Sequence, residues 1–503
     1  MANLKYVCLS DLHLGADYSL LSKVDYTENK LKVNPLQPSP TLQALGAALL
    51  KLVDDLRGSE PPTLILLGDI LDLGRSKVRM VAMGFQRFVE AMFPADQPIF
   101  SISPAVLYVP GNHDHELWQA TKQEIYVDQI KHSTPGDELP KMSPVTKMFN
   151  LQDLPLEEWA PKSSFLTELM RTYEHLAKAS VRVAYPNFGE VSLDRGRGVV
   201  FHHGHFIEPV YHLMSDMKWV FDGKASVPKK IKDLERENAT WIDFVWSAFG
   251  GTGKVGRDAD TIYTLLQDTA AFNRFLSRLT GRAARRLLPN LPLGGEAQVK
   301  HYVRLIIKAI LDLTVEQWAD LERHSYLSPL TQSSITGLCW YLEKPLRQQI
   351  KSELKMVPDD LSFIFGHTHK PFGDALPLSK YHRPVSIFNT GGWVLDEPQM
   401  LPLEGAAAVF VDDELNVVSV RLYNDPINGD SASFLKCSGY PEKNNPLLEK
   451  MKIFLGNNDE KQLLGKLRDA ANAELQQRCT WLIQQYDLDS ERVVEKRQSL
   501  WGR

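Results

Sequence analysis

The sequence predicts an α/β fold in which two β-sheets pack together under flanking helices, with a large helical insertion and a C-terminal helical tail. Three observations predict it. Short aliphatic runs recur and end in polar residues: YVCLSD (6–11), TLILLGD (63–69), AVLYVPGNHD (105–114), GVVFHHGH (198–205) and LSFIFGHTH (361–369). Such runs read as buried strands. Helical periodicity at 42–56 and 78–93 separates the first three, and strand alternating with helix builds a layered sheet. Later, VSIFNTGGW (385–393), AAAVFVDD (406–413) and NVVSVRLY (416–423) follow one another without helices. They read as an antiparallel set forming a second sheet, with 413–416 turning one hairpin.

Composition narrows the class. The 503 residues are 43% hydrophobic and 24% charged, which excludes a disordered scaffold, a collagen or a coiled coil. Lys and Arg total 57 against 62 Asp and Glu, a net charge of −5, so no whole-chain attraction draws the protein to nucleic acid or anionic membrane. Cys8, Cys339, Cys437 and Cys479 form no Cys-x-x-Cys pair, so neither a disulfide framework nor a thiolate zinc site is expected. No run reaches the 18 or so apolar residues of a spanning helix, and the opening run 4–9 is too short for a signal sequence. A cytoplasmic protein without a transmembrane segment is the expectation.

Each strand end carries hard or borderline metal ligands: Asp11 and His13; Asp69 and Asp72; Asn112, His113 and Asp114; His202, His203 and His205; His367 and His369. One such cluster alone is ordinarily a turn or cap. Five at strand ends along one sheet edge mark a site, because α/β proteins assemble sites on those loops. Oxygen and imidazole donors without thiolate suit divalent Mn, Fe, Zn or Co, and a carboxylate can bridge two ions roughly 3.5–4 Å apart. Such a pair polarises phosphoryl oxygens and activates water.

SDLHLG, GDILD, GNHD, HHGH and GHTH, in that order, resemble the five blocks of the calcineurin-like metallophosphoesterases. The resemblance covers 4–115, 181–205 and 361–423. It implies a two-sheet β-sandwich flanked by helices and two divalent ions, manganese first and iron, zinc or cobalt after it. Asp11, His13 and His369 would hold one ion and Asn112, His203 and His367 the other, with Asp69 bridging. His113 would act as general acid or transition-state donor, oriented by Asp72. Protein phosphatases of that superfamily carry GDxxDRG and GNHE. Here Leu73 and Gly74 separate Asp72 from Arg75, and Asp114 replaces the Glu, so that branch is disfavoured. Arg75 and His205 are candidate substrate contacts.

The expected organisation is a core in two parts, 1–205 and 357–430, interrupted by an insertion over 206–356 and followed by a tail over 431–503. Within the insertion, Arg274, Arg278, Arg282 and Arg286 recur every four residues opposite an apolar face. Between 274 and 308 eight Lys or Arg meet only Glu296, a net of +7. The face is either a solvated helix surface or a receiver, through Arg278 and Arg282 among others, for an anionic substrate or a membrane. Upstream, TWIDFVWSAFGG (240–251) reads as an apolar lid or as core, and GGTGK (250–254) lacks the spacing of a phosphate loop. Trp393 reads as a packing residue.

The leading function is hydrolysis of a phosphoester or pyrophosphate of small, lipid-linked or nucleotide-linked type, with an anionic phosphoester as partner. A DNA or RNA nuclease of the same superfamily is the first alternative, using the basic face on nucleic acid. A non-catalytic scaffold binding a membrane or protein partner is the second.

Overall fold

The computed structural model of the chain describes residues 3–27, 31–97, 99–212, 214–215, 228–250, 328–395, 403–424, 437–441 and 443–501. Contacts divide the chain into two compact units, Met1–Gly204 with Ile350–Arg503, and His205–Gln349.

The larger unit opens with β1 (Leu4–Leu9), a hairpin of β2 (Ser22–Tyr26) and β3 (Leu31–Pro38), and α1 (Pro40–Leu56). Then come β4 (Thr63–Leu66), α2 (Val78–Met92), β5 (Ser103–Tyr108), α3 (His115–Lys131), β6 (Ser180–Val183), β7 (Asn187–Ser192) and β8 (Arg197–His202). Its second stretch supplies β9 (Asp360–Phe365), β10 (Phe372–Leu376), β11 (Val385–Asn389), β12 (Ala407–Asp412), β13 (Val417–Arg421), β14 (Cys437–Tyr440) and helices Pro446–Gly456 and Asn458–Trp501.

The strands form one sheet of order β14-β13-β12-β1-β4-β5-β6 and another of order β10-β11-β9-β8-β7. The expected α/β two-sheet architecture is therefore present. Alternation along β1 explains the layering: Tyr6 and Cys8 share a core with Ile65, Leu107, Phe188, Phe201 and Ile364 of both sheets, while Val7 and Leu9 join the core beneath the helices. Both faces are covered, which is why these strands read as unbroken apolar runs.

Two expectations need correction. Of the segments 385–393 and 406–413, strands 385–389 and 407–412 do not pair, although an isolated antiparallel bridge joins Gly391 to Ala406. Strand 385–389 pairs parallel with β9 in the smaller sheet, whereas β12 and β13 make the expected hairpin and extend the larger sheet by pairing β12 antiparallel to β1. The five ligand-bearing strand ends consequently belong to two sheets and not to one edge: β1, β4 and β5 run parallel in the first, and β8 and β9 run parallel in the second. Periodicity identifies a strand, but its partner is chosen by long-range packing.

Helix α1 begins at Ser39, whose hydroxyl accepts from the Leu42 amide at 3.0 Å, with Pro40 in the first turn. The C-terminal helices bury Leu447, Met451, Phe454, Leu464, Leu467 and Leu475 in the core that also holds Leu45, Leu49 and Val53 of α1. Trp393 is fully buried and its ring lies 5.1 Å from that of Tyr423, as a packing residue should.

In the smaller unit, helices Ile231–Gly250 and Gln332–Tyr341 are described, with Phe206, Leu234, Ile242, Leu338 and Tyr341 buried. The basic segment 274–308, including Arg278 and Arg282, lies outside the described residues, as do the side chains of 244–250 and the GGTGK segment beyond Gly250.

Leu467 sits in the core shared with α1, so Leu467→Ala should cost about 2–5 kcal/mol in denaturant unfolding. Ile453 is 76% exposed on the preceding helix, and Ile453→Ala should cost less than about 0.5 kcal/mol. Equal costs would contradict the packing of the tail into this core.

Candidate metal centre

The ligand candidates sit just past the carboxyl ends of β1, β4, β5, β8 and β9, where the chain turns sharply. Asp11, His13, Asp69, His367 and His369 all have positive φ, between 45° and 74°, and they are five of the ten non-glycine residues with positive φ among those described. Each such residue costs on the order of 1 kcal/mol or more, so backbone strain is concentrated here. Ladder-like bonds hold the turns: the Asp11 amide donates to the Gly68 carbonyl (3.0 Å), His13 to Asp69 (2.9 Å) and Gly366 to His203 (2.7 Å). Gly111 must lack a side chain, because a Cβ there would press on the Asp69 carboxylate and stand 2.8 Å from the His203 ring.

The buried side chains converge. Asp69 Oδ1 accepts the His113 amide at 2.9 Å, while Oδ2 faces three ring nitrogens: His203 Nε2 at 3.3 Å and the Nε2 atoms of His13 and His113 at 3.9 Å each. Oδ2 of Asp69, Nε2 of His13 and Nδ2 of Asn112 are buried without a hydrogen-bond partner. Three sets bring ligand atoms within 4.8 Å of one another: Asp11, His13 and His369; Asp69, His203 and His367; and His13, Asp69 and His113. Asn112 joins the second set, its Oδ1 lying 3.0 Å from His203 Nε2. His203 Nδ1 faces the Leu67 carbonyl at 3.0 Å, which fixes the ring and turns Nε2 toward Asp69. Asp11 accepts the His367 amide at 3.0 and 3.1 Å and has His369 Nε2 at 3.4 Å from Oδ1.

The orphaned carboxylate oxygen of Asp69 and ring nitrogen of His13, in a buried, strained cluster, fit divalent cations, and the absence of thiolate selects borderline or hard ones.

Electrostatics follow the geometry. Burial, with the facing His113, pushes His13 down to about 3. Burial also opposes charge on His203, but the Asp69 and Asp11 carboxylates outweigh it and raise the imidazole to about 9. Asp72 is driven down to about 2 against its burial by the hydrogen bond and charge of His113. His113 itself is lowered by burial, with Asp69 and Asp72 pulling the other way.

His113 Nδ1 lies 3.0 Å from Asp72 Oδ1, the pairing expected of them. The Arg75 amide donates to the same oxygen at 3.2 Å, and its guanidinium lies 5.4 Å from the Tyr18 ring centre. His205 opens the smaller unit, where its ring packs on Phe206 at 4.3 Å and Tyr211 at 5.6 Å. His202 is buried with its ring stacked 6.1 Å from Phe363.

Two residues have roles that the sequence did not assign: Asp114, counted only among the candidate ligands, and Tyr18. Asp114 collects the amides of Ile70 (2.9 Å), Leu71 (3.3 Å) and Gly111 (2.6 Å) and the Tyr108 hydroxyl, tying the second and third ligand loops together. Its place inside GNHD was the available signal. Tyr18 donates its hydroxyl to Asp72 Oδ2 and lies 3.2 Å from His13 Nδ1, and nothing local in the sequence marks it.

The model of the calcineurin-like phosphoesterase family matches residues 4–255, and the chain belongs to that family of metal-dependent phosphoesterases. No curated protein matches the sequence. Among the described residues no helix is long and apolar enough to cross a membrane.

If His203 takes a divalent ion, its imidazole must be neutral there, whereas in the metal-free site the facing carboxylates raise its pKa to about 9 and keep it protonated at neutral pH. Mn2+ binding is therefore expected to release roughly one proton and to weaken about tenfold per unit of acidification below that value. Calorimetric titration in two buffers of different ionisation enthalpy measures the release. Equal heats in both would contradict it.

Proposed function

We propose that the chain is a dinuclear-metal phosphohydrolase acting on a small, lipid-linked or nucleotide-linked phosphoester or pyrophosphate, with Mn2+ as its first-choice ion. The observation that supports this best is the single buried oxygen of Asp69 facing three imidazole nitrogens. In this reading Asp11, His13 and His369 hold one ion, Asn112, His203 and His367 hold the other, and Asp69 serves both. Bound there, the ions would polarise the phosphoryl oxygens and lower the pKa of water.

The chain's own residues do the rest. Asp72 fixes the His113 ring through Nδ1, which leaves Nε2 aimed into the space that Asp69 Oδ2 also faces. A proton held at Nε2 is then available to the leaving-group oxygen. Burial makes that imidazolium a stronger but less populated acid than an ordinary one, and Asp69 and Asp72 partly restore its proton. Arg75, anchored through its amide to Asp72, carries a cation suited to a phosphate oxygen.

The Mn2+-loaded protein should be offered phosphomonoesters, phosphodiesters, nucleotide pyrophosphates and single-stranded DNA. Turnover of one of the first three is expected. Preferred cleavage of DNA, with affinity falling steeply in salt, would replace this reading with a nuclease. Two bound ions with no turnover of any of them would leave a scaffold. On an active ester, His113→Ala should lower kcat by roughly 10²–10⁴ and spare substrates with good leaving groups. Equal loss across leaving groups of different basicity would contradict proton donation.

A further inference from the structure

We propose that Tyr18, clamped from the C-terminal helix by Arg478, is a positioning residue that sets both the His13 ring and the Asp72 carboxylate behind His113. The inference rests on the phosphohydrolase reading and adds residues outside the five blocks SDLHLG, GDILD, GNHD, HHGH and GHTH.

Asp72 is fully buried. Its Oδ1 serves His113 and the Arg75 amide, so without another donor Oδ2 would be a buried, unpaired charge and the carboxylate could turn about its last bond. The Tyr18 hydroxyl fills that place. Its one proton is committed to the carboxylate, so toward His13 Nδ1, 3.2 Å away, the phenol oxygen can only accept. The Nδ1–H tautomer of His13 is thereby selected. The lone pair is left on Nε2, the atom that belongs to two of the ligand sets. One hydroxyl thus sets the tautomer of a proposed ligand and the orientation of the group behind the proposed acid.

The loop carrying Tyr18 is held from a distance. Arg478 is 1% exposed on helix Asn458–Trp501. It donates from Nη1 to the Asp17 carbonyl at 2.5 Å and from Nη2 to the Ser22 carbonyl at 3.0 Å, thereby bracketing Tyr18. Glu474 Oε1 takes Nε at 3.3 Å and Nη2 at 3.1 Å, which neutralises the buried guanidinium and fixes its plane. Within the bracket, the Leu395 amide donates to the Tyr18 carbonyl at 3.1 Å and the Leu20 amide to that of Trp393 at 2.8 Å. Together with those backbone bonds, a guanidinium planted on the tail fixes where the phenol stands. The tail is then part of the site's support and not an appendage.

Tyr18→Phe removes only the hydroxyl and keeps the ring that faces Arg75 and His13. Its Mn2+ affinity, measured by calorimetry, should fall roughly 10- to 100-fold at one site, the usual effect of losing a partner behind a ligand. On p-nitrophenyl phosphate kcat should fall with KM little changed. In metal-free protein, the ¹⁵N signals of His13 should change from one tautomer to a mixture. Mn2+ affinity, kcat and His13 signals all within about twofold of wild type would overturn the assignment. Arg478→Lys, or Glu474→Gln if that variant does not fold, should move the same quantities in the same direction. Added to Tyr18→Phe it should cost less than about a further twofold, because both act through one hydroxyl. Full multiplication of the two losses would overturn the clamp. Wild-type protein that hydrolyses no phosphoester with Mn2+, Fe2+, Zn2+ or Co2+ would refute the phosphohydrolase reading instead, and the metal-free His13 signals would still decide the role of Tyr18.

Discussion

One carboxylate oxygen organises this molecule. Asp69 Oδ2 is buried without a hydrogen-bond partner and faces His13, His113 and His203. A buried carboxylate is costly, and here the protonated His203 ring 3.3 Å from Oδ2 and the His113 amide on Oδ1 offset that cost. Here the charge is retained, held well below the ordinary carboxylate range by His203 and the other imidazoles even against its own burial. Its surroundings follow from that requirement: Gly111 is bare so that the carboxylate can approach, and the ligand loops turn through left-handed residues to aim side chains at a common point.

Strain of that kind persists only where the surrounding structure over-determines it. Two sheets with a shared apolar core supply the rigidity, and each contributes parallel strands whose ends carry the candidate ligands. Asp114 binds two of the ligand loops to each other, and the Asp11 carboxylate binds the end of β9 to the end of β1. The site is therefore spread over strands that no single sheet could bring together, and its geometry depends on the packing of one sheet against the other.

What was legible in the sequence was local. An apolar run followed by Asp, Asn or His reads as a strand end with a polar loop, and the structure gathers Asp11, His13, Asp69, Asn112, His113, His203, His367 and His369 into one buried cluster with Asp72 behind His113. What was illegible was long-range. Nothing in VSIFNTGGW says that 385–389 pairs with β9 and not with 407–412, because both candidate partners are apolar strands. Tyr18 and Arg478 are 460 positions apart and carry no motif, so their relation exists only in three dimensions. The helical tail was expected as a tail, whereas its burial against α1 comes from tertiary packing that amphipathic spacing cannot assign to a partner.

The central claim is that Asp69 serves two ions at once, and metal content of an isosteric variant tests it most directly. Asp69→Asn preserves shape while removing the charge that faces the three imidazoles. Equilibrium dialysis against Mn2+ should show two ions bound per wild-type chain and at most one per variant chain, with turnover lost and the fold unchanged by circular dichroism. Two ions and near-normal turnover in the variant would contradict the account.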